Sequence, residues 1–379
     1  MNVIGVICEY NPMHTGHLYQ IKKIKEMFKN SIIVIVTNSC FTQRGDISII
    51  NKWDKTRFAL ENQVDLVVEL PFVFSCQSAD VFANGAIKIL NILGIDTLVF
   101  GSESNNIELL KNIVNTQLYD DNYNILVKKY LDNGYNYPTA LSKSLESLLG
   151  YSVNSPNDLL AISYIKEVEK NKYNINVISI KRTNSYHSKN IDGDFANASL
   201  IREKILKHAD VNKYIVPNSI DYYYKDLSLE SAFSYLKYQI SISDLKNIQT
   251  VDEGIENRIK KCINNCNSWE EFVFSIKTKR YTYNKVNRML LHILTNFTKG
   301  EAQNIDVDYI RILGFSINGQ KYLNKVKKNI NIPVLTHYKK NISKILDIEY
   351  RINSIYSYIV KDNKIIEYEI NHKPVIYKY

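Results

Sequence analysis

The chain has 379 residues, 45% of them hydrophobic, and a formal net charge of +9, which favours a polyanionic partner. This length points to two domains or one domain with a large extension, and the composition excludes a disordered or fibrous chain. No apolar run is long enough to span a membrane, and Met1 leads directly into an apolar strand rather than a basic segment and signal core, so a cytoplasmic protein without membrane contact is expected.

The apolar residues 3–8 predict a strand and the amphipathic residues 18–28 a helix. The turn between them, residues 10–17, reads Tyr-Asn-Pro-Met-His-Thr-Gly-His. His14 and His17 stand three apart where a helix begins. Free backbone N–H groups and the helix dipole attract phosphate there, and Gly16 lets a ligand approach the backbone. The same residues also fit two surface or capping histidines. Strand, glycine-containing turn and helix nevertheless arrive in the order of an α/β nucleotide site. No third His or Cys lies at ligand spacing, so no metal site is expected. Cys8, Cys40, Cys76, Cys262 and Cys266 form no zinc or redox motif and are expected as reduced thiols.

Further strands are predicted at 32–37, 66–70, 97–101 and 177–181, with helices at 52–62, 78–93, 106–114, 122–133, 138–148 and 157–169. Strands apolar on both faces and alternating with helices define a doubly wound parallel sheet, a Rossmann-like α/β fold. Such sheets bind ligands at the carboxyl ends of their strands. Arg44, in the polar loop after the second strand, is a candidate for holding a carboxylate or phosphate, or belongs to a surface turn. Gly101 ends the fourth strand, and Asn157 opens a helix as cap or ligand contact. Lys181 and Arg182 end the fifth strand, facing phosphates or solvent. Ser199 and Arg202, at the start of the next helix, suit a polyphosphate or an ordinary N-cap. Glu69, closing the third strand, reads as structural.

From about residue 199 the pattern turns helical: 199–208, 227–240, 254–264, 269–274 and 284–297. A short strand at 306–314, a helix at 319–329 and another from 347 follow. The expected division is an α/β catalytic domain over 1–205 and a mainly helical, RNA-binding domain over 206–379. Lys277, Lys279, Arg280, Lys285 and Arg288 cluster there with Tyr281 and Tyr283 between them. That combination suits phosphate contact and base stacking on RNA, or a solvated helix entrance in a Lys-rich chain.

In order along the chain stand residues 5–17, Phe41-Thr-Gln-Arg-Gly45, Asp65-Leu-Val-Val-Glu-Leu-Pro-Phe72, Gln77-Ser-Ala-Asp80 and Ser155-Pro-Asn157. Ile180-Lys-Arg182, Tyr186-His187, Glu253-Gly-Ile-Glu-Asn-Arg258, Lys279-Arg-Tyr-Thr282 and Leu313-Gly-Phe315 follow. This ordered set resembles the bacterial tRNA(Met) cytidine acetate ligase family of the HxGH nucleotidyltransferase superfamily. It departs from the family pattern at Cys40 and Ile47, where Asn and Pro are usual.

The resemblance implies a ligase that turns acetate and ATP into acetyl-adenylate and pyrophosphate. The acetyl group then passes to N4 of the wobble cytidine of elongator tRNA(Met), making N4-acetylcytidine. By the family pattern ATP, carried with Mg²⁺, contacts Ile7, Cys8, Glu9, Tyr10, Asn11, Pro12, Met13, His14, Thr15, Gly16, His17, Leu18, Tyr19 and Gln20, with Gly101, Asn157, Arg182 and Thr183. His14 and His17 would stabilise charge building on the phosphates, and Arg44 is the candidate for acetate or pyrophosphate. Two other readings stay open on the sequence. One is a small-molecule adenylyltransferase of the same superfamily, against which the basic helical half argues. The other is a non-catalytic RNA-binding protein, against which intact His14, Gly16 and His17 argue.

Overall fold

The computed structural model describes residues 2–182 and 195–378. Among them, eight strands form one sheet: β1 Val3–Cys8, β2 Ile32–Asn38, β3 Leu66–Leu70, β4 Thr97–Ser102, β5 Asn176–Lys181, β6 Ile310–Ser316, β7 Val334–Leu335 and β8 Val375–Tyr377. The first five run parallel in the order β5-β4-β1-β2-β3, the doubly wound arrangement expected. Successive side chains enter opposite cores. Along β2, Ile33 and Ile35 pack with Ile21 and Ile24 of the helix Thr15–Met27 and with Phe58 of the helix Lys52–Glu61. Val34 and Val36 pack on the other face with Ala83, Ile87 and Leu90 of the helix Ala79–Ile92. The strand order reverses between β1 and β4, so the ligand crevice of this topology opens at their carboxyl ends.

The second half is mainly helical, yet the expected break at 205/206 falls inside one packed unit. β6 pairs antiparallel with β3, and β7 and β8 both pair parallel with β6. Phe272, Met289, Phe297 and Ile352 continue the core that holds Val34 and Phe72, while Val211, Ile215 and Tyr223 join the core under the first helix. Gly319 lets the chain after β6 cross β3 closely: a Cβ there would lie 1.7 Å from the Asp65 carbonyl oxygen.

Buried ions join the two halves. Lys52 Nζ lies 2.5 Å from Glu69 of β3 and also pairs with Glu369 of the helix Lys364–Asn371. Arg311 of β6 pairs with Glu369 and stands 3.7 Å from Glu69. All four side chains are fully enclosed, so Glu69 is structural, as expected. Beside them Glu349, on the helix Lys344–Val360, accepts hydrogen bonds from the Ser39 hydroxyl and from the Phe72 N–H at 2.6 Å. Burial, with the neighbouring Glu69 charge, pushes its carboxyl up to about 7. All five cysteines are free thiols, and no helix among the described residues is long and apolar enough to cross a membrane.

Candidate active site

Beyond β1 the chain turns through Tyr10, whose φ of +44° bends it back over the sheet. The Tyr10 ring is buried and meets His17 edge-on at 4.7 Å. Asn11 ties the turn to the loop after β2: its Oδ1 accepts the Ile49 N–H at 2.9 Å and its Nδ2 donates to the Ile47 carbonyl at 3.3 Å. Pro12 and Met13 are buried. Tyr10, Asn11, Pro12 and Met13 therefore shape the turn, and none of them lines the pocket beside it.

His14 is the N-cap of the first helix. Its Nδ1 accepts the Gly16 N–H at 3.1 Å, and its own N–H donates to His17 Nδ1 at 3.2 Å. The spacing of three closes this reciprocal cap, with the two rings 3.8 Å apart. Each imidazole spends Nδ1 as an acceptor, so each neutral ring carries its proton on Nε2. Glycine at 16 follows from the same geometry: a Cβ would lie 2.9 Å from His14 Cε1.

The helix's first backbone donors are not free, unlike the sequence expectation. Thr15 N–H donates to the Tyr214 carbonyl at 2.9 Å, and His17 and Leu18 N–H groups reach the His14 carbonyl at 2.8 and 3.2 Å. What the motif offers an anion is the pair of Nε2–H groups and the helix dipole. Burial, reinforced by the charges of Arg182 and Arg202, lowers the His14 pKa to about 3. Burial, then His14 and Arg182, lowers that of His17 as well. Both rings are neutral at physiological pH.

The pocket lies at the switch point of the sheet. His14, Gly16, His17, Tyr19 and Gln20 form one wall. Gly101 of β4 and Ile180, Lys181 and Arg182 at the end of β5 form a second. A Cβ on Gly101 would lie 3.3 Å from Arg182 Cγ, so glycine gives that arginine its room. Phe195, Ala196 and Asn197 close the third wall, with the Phe195 ring 6.1 Å from that of Tyr19. Asn197 caps the helix Ala198–Leu206 by accepting the Leu200 N–H at 2.8 Å. Two helix N-termini, two neutral imidazoles and an arginine thus converge, and among the described residues no carboxylate lines the space. This suits a polyphosphate, with aromatic surface for a base.

Other expected residues lie elsewhere. Ile7 and Cys8 are half-buried at the end of β1, where burial pushes the Cys8 thiol up to about 12. Glu9 accepts the Gln43 N–H at 2.6 Å, fastening the loop that carries Arg44; burial raises its pKa against the charges of Arg44 and Lys55. Arg44 is half-buried outside the pocket lining. Thr15 is held by Tyr214, and Leu18 faces a groove toward Glu61 and Asn62. Asn157 donates to Glu103 Oε1 at 2.5 Å. Ser199 is not the helix cap, because Asn197 takes that place. Arg202 is a strut: it donates to the Asn11 carbonyl and to Asp46 Oδ2, both at 2.7 Å. Thr183, Tyr186 and His187 lie outside the described residues. The two departures from the family loop are internal. The Cys40 thiol donates to Asn353 Oδ1 at 2.9 Å, and Ile47 pairs with Phe41.

The basic segment divides. Lys279 and Arg280 are exposed. Lys277 sits 4.7 Å over the ring of Tyr283, which is 53% exposed. Lys285 sits 4.5 Å over Tyr281, but that ring is 4% exposed and its hydroxyl donates to the Asp252 carbonyl, so it cannot stack on RNA. Arg288 is a correction too: its guanidinium donates to the Gln43 carbonyl at 2.9 Å and braces the Arg44 loop from within. Sequence reasoning missed Phe195 and Tyr214. Phe195, an aromatic just before the Asn197 cap, left a faint signal; the Tyr214 carbonyl, being main chain, left none.

The sheet and this pocket define a nucleotidyltransferase. In agreement, residues 1–370 match the family described as HIGH Nucleotidyl Transferase. The tRNA(Met) cytidine acetate ligase of Bacillus cereus is 36% identical over 384 residues, covering 94% of this chain and 98% of that protein. The crystal structure of Thermotoga maritima TmcAL in its apo form matches over 100% of both chains with a TM-score of 0.92 and 27% identity. The same protein bound with alpha-thio ATP matches with a TM-score of 0.88 and 28% identity, again over 100% of both chains. The chain belongs to the tRNA(Met) cytidine acetate ligase family.

Proposed function

We propose that this protein activates acetate with ATP and acetylates N4 of the wobble cytidine in elongator tRNA(Met), in the cytoplasm. The acetate carboxylate attacks the α-phosphorus, the bond to the β-phosphate bridging oxygen breaks, and pyrophosphate leaves. The cytidine amine then attacks the acetyl carbonyl, the acyl–oxygen bond to AMP breaks, and the amine releases a proton. The observation that carries this reading is the imidazole pair with both Nδ1 atoms engaged, which fixes two Nε2–H donors beside Arg182. Donors set before the reaction, in a buried site, stabilise charge developing on phosphate oxygens without reorganising. Tyr19 and Phe195 would flank the base.

Arg44, on the loop fastened by Glu9, is the candidate for acetate or pyrophosphate. Mg²⁺ prefers oxygen ligands, carboxylates above all, and among the described residues the pocket lining holds none, so the ion would be carried by the ATP phosphates. Lys277, Lys279, Arg280 and Lys285 are the candidate phosphate contacts for tRNA.

Incubation with ATP, Mg²⁺, acetate and a tRNA(Met) transcript, followed by mass spectrometry of the nucleosides, tests the reading. N4-acetylcytidine at the wobble position is expected. Its absence, with the same protein shown folded, would overturn the assignment.

A further inference from the structure

We propose that the two-helix hairpin Asp121–Asp132 and Tyr137–Leu149 joins the segment 277–285 in one stacking platform for unpaired bases of the RNA substrate. The proposal rests on the RNA-acetylating reading above and deepens it, by naming where a single-stranded loop is gripped.

The hairpin is surplus to the nucleotide fold. The crossover from β4 to β5 contains four helices, of which Ile107–Tyr119 and Pro156–Lys170 cover the sheet through Leu110, Ile113, Ala161 and Ile165, all fully buried. The other two helices bury few side chains, Tyr123 and Val127 on one and Ala140, Ser144 and Leu145 on the second. At their turn Asn136 Nδ2 donates to the Lys279 carbonyl at 3.5 Å, so segments 143 residues apart in sequence meet.

Around that junction, aromatic rings stand open to solvent with cations beside them. Tyr137 and Tyr283 are each 53% exposed. Lys277 lies over Tyr283, and Lys143 Nζ lies 5.2 Å from the Tyr135 ring centre. Acidic groups are interspersed with the cations: Asp80 acts on the Tyr137 hydroxyl, Glu253 stands 3.6 Å from Arg280, and Asp132 and Glu146 lie on the hairpin itself. Open rings stack on any base while neighbouring cations take its phosphates, which is how single-stranded RNA is bound.

The platform also lies on the reactive side. Asp80, beside Tyr137, is in the first turn of a helix that starts just past the carboxyl end of β3. The helix Tyr283–Leu294 reaches Gln43 through Arg288, and Gln43 is held by Glu9, next to the turn that carries His14 and His17.

Fluorescence anisotropy of a labelled anticodon stem–loop RNA with the full chain tests this. Tyr137→Ala and Tyr283→Ala should each weaken binding roughly ten-fold, while Tyr137→Phe and Tyr283→Phe, which keep the rings, bind as wild type. Lys143→Glu should weaken binding and reduce the salt slope by about one. Circular dichroism melts of each variant check that the fold is kept. Wild-type affinity in folded Tyr137→Ala and Lys143→Glu would overturn the proposal. So would concentration-dependent self-association of the chain that Tyr137→Ala abolishes, since a second copy would then own the surface. If the alanine variants lose RNA while the wild type makes no N4-acetylcytidine, the platform stands and the acetate reading fails. If the wild type acetylates and the variants bind RNA normally, the reverse holds.

Discussion

His14 and His17 are set as neutral Nε2–H donors by two hydrogen bonds from their own helix's main chain. Burial holds the His14 pKa near 3 and depresses that of His17, so neither ring titrates in the ordinary histidine range. Nitrogen-15 spectra of histidine-labelled protein should therefore show both rings as Nε2–H tautomers, unchanged from pH 8 to about 5. A titration of either ring near 6.5 would contradict the geometry. On the proposed function, His17→Ala removes a donor to the developing charge, and it also removes the acceptor of the His14 N–H. Steady-state adenylation should fall by about 10²–10³-fold, with stem–loop RNA binding unaffected. The residue pattern His-x-Gly-His was legible in the sequence because the motif is local. The engagement of each Nδ1 was not, because the same letters fit free helix donors and capped ones.

At the scale of elements, the loop after β2 is fixed from two directions. Glu9 holds it from β1 and Arg288 from the helical half. Gly45 makes that approach possible: its φ is +84°, and a Cβ would lie 2.7 Å from the Arg288 backbone nitrogen. Gly45→Ala combines left-handed backbone with a main-chain collision, and should destabilise the fold by about 1–3 kcal/mol and displace Arg44. Thermal unfolding with adenylation kinetics checks this; an unchanged melting point and unchanged rate would show that the loop is not braced. The strands and helices of the first half were readable because each announces itself within a dozen residues. The partner of Arg288 was not, because Gln43 is 245 residues away in sequence. The ties of Arg202 were hidden for the same reason: a helix-start arginine suits phosphate, and only the fold brings it to Asp46 and Asn11.

Across the whole molecule, β6 and the buried ions make both halves one unit. Arg311→Ala would leave Glu69 and Glu369 enclosed with Lys52 as their remaining buried partner, and should cost about 3–5 kcal/mol. Melts should show one transition for the wild type; separate transitions for the two halves would contradict a shared core. Glu349 adds a pH dependence. Its folded pKa is raised to about 7 from a usual 4.5, so the folded chain keeps a proton that the unfolded chain releases. Its stabilising effect is full below 4.5 and is lost as pH rises through 7. Denaturant titrations from pH 4.5 to 8 should show this loss in the wild type and a flatter profile in Glu349→Gln. The doubly wound order was legible from alternating strands and helices. The return of β6 to pair with β3 was not: a strand pattern names no partner, and β7 and β8 are too short to show a period.

On the proposed function, the pocket between β1, β4 and β5 makes an acyl-adenylate from acetate. Exchange of labelled pyrophosphate into ATP, measured with purified protein and Mg²⁺ in the presence and absence of acetate, tests it most directly. Exchange that requires acetate and disappears in His17→Ala is predicted. Exchange that proceeds equally without acetate, or survives intact in His17→Ala, would contradict acetate activation in this pocket.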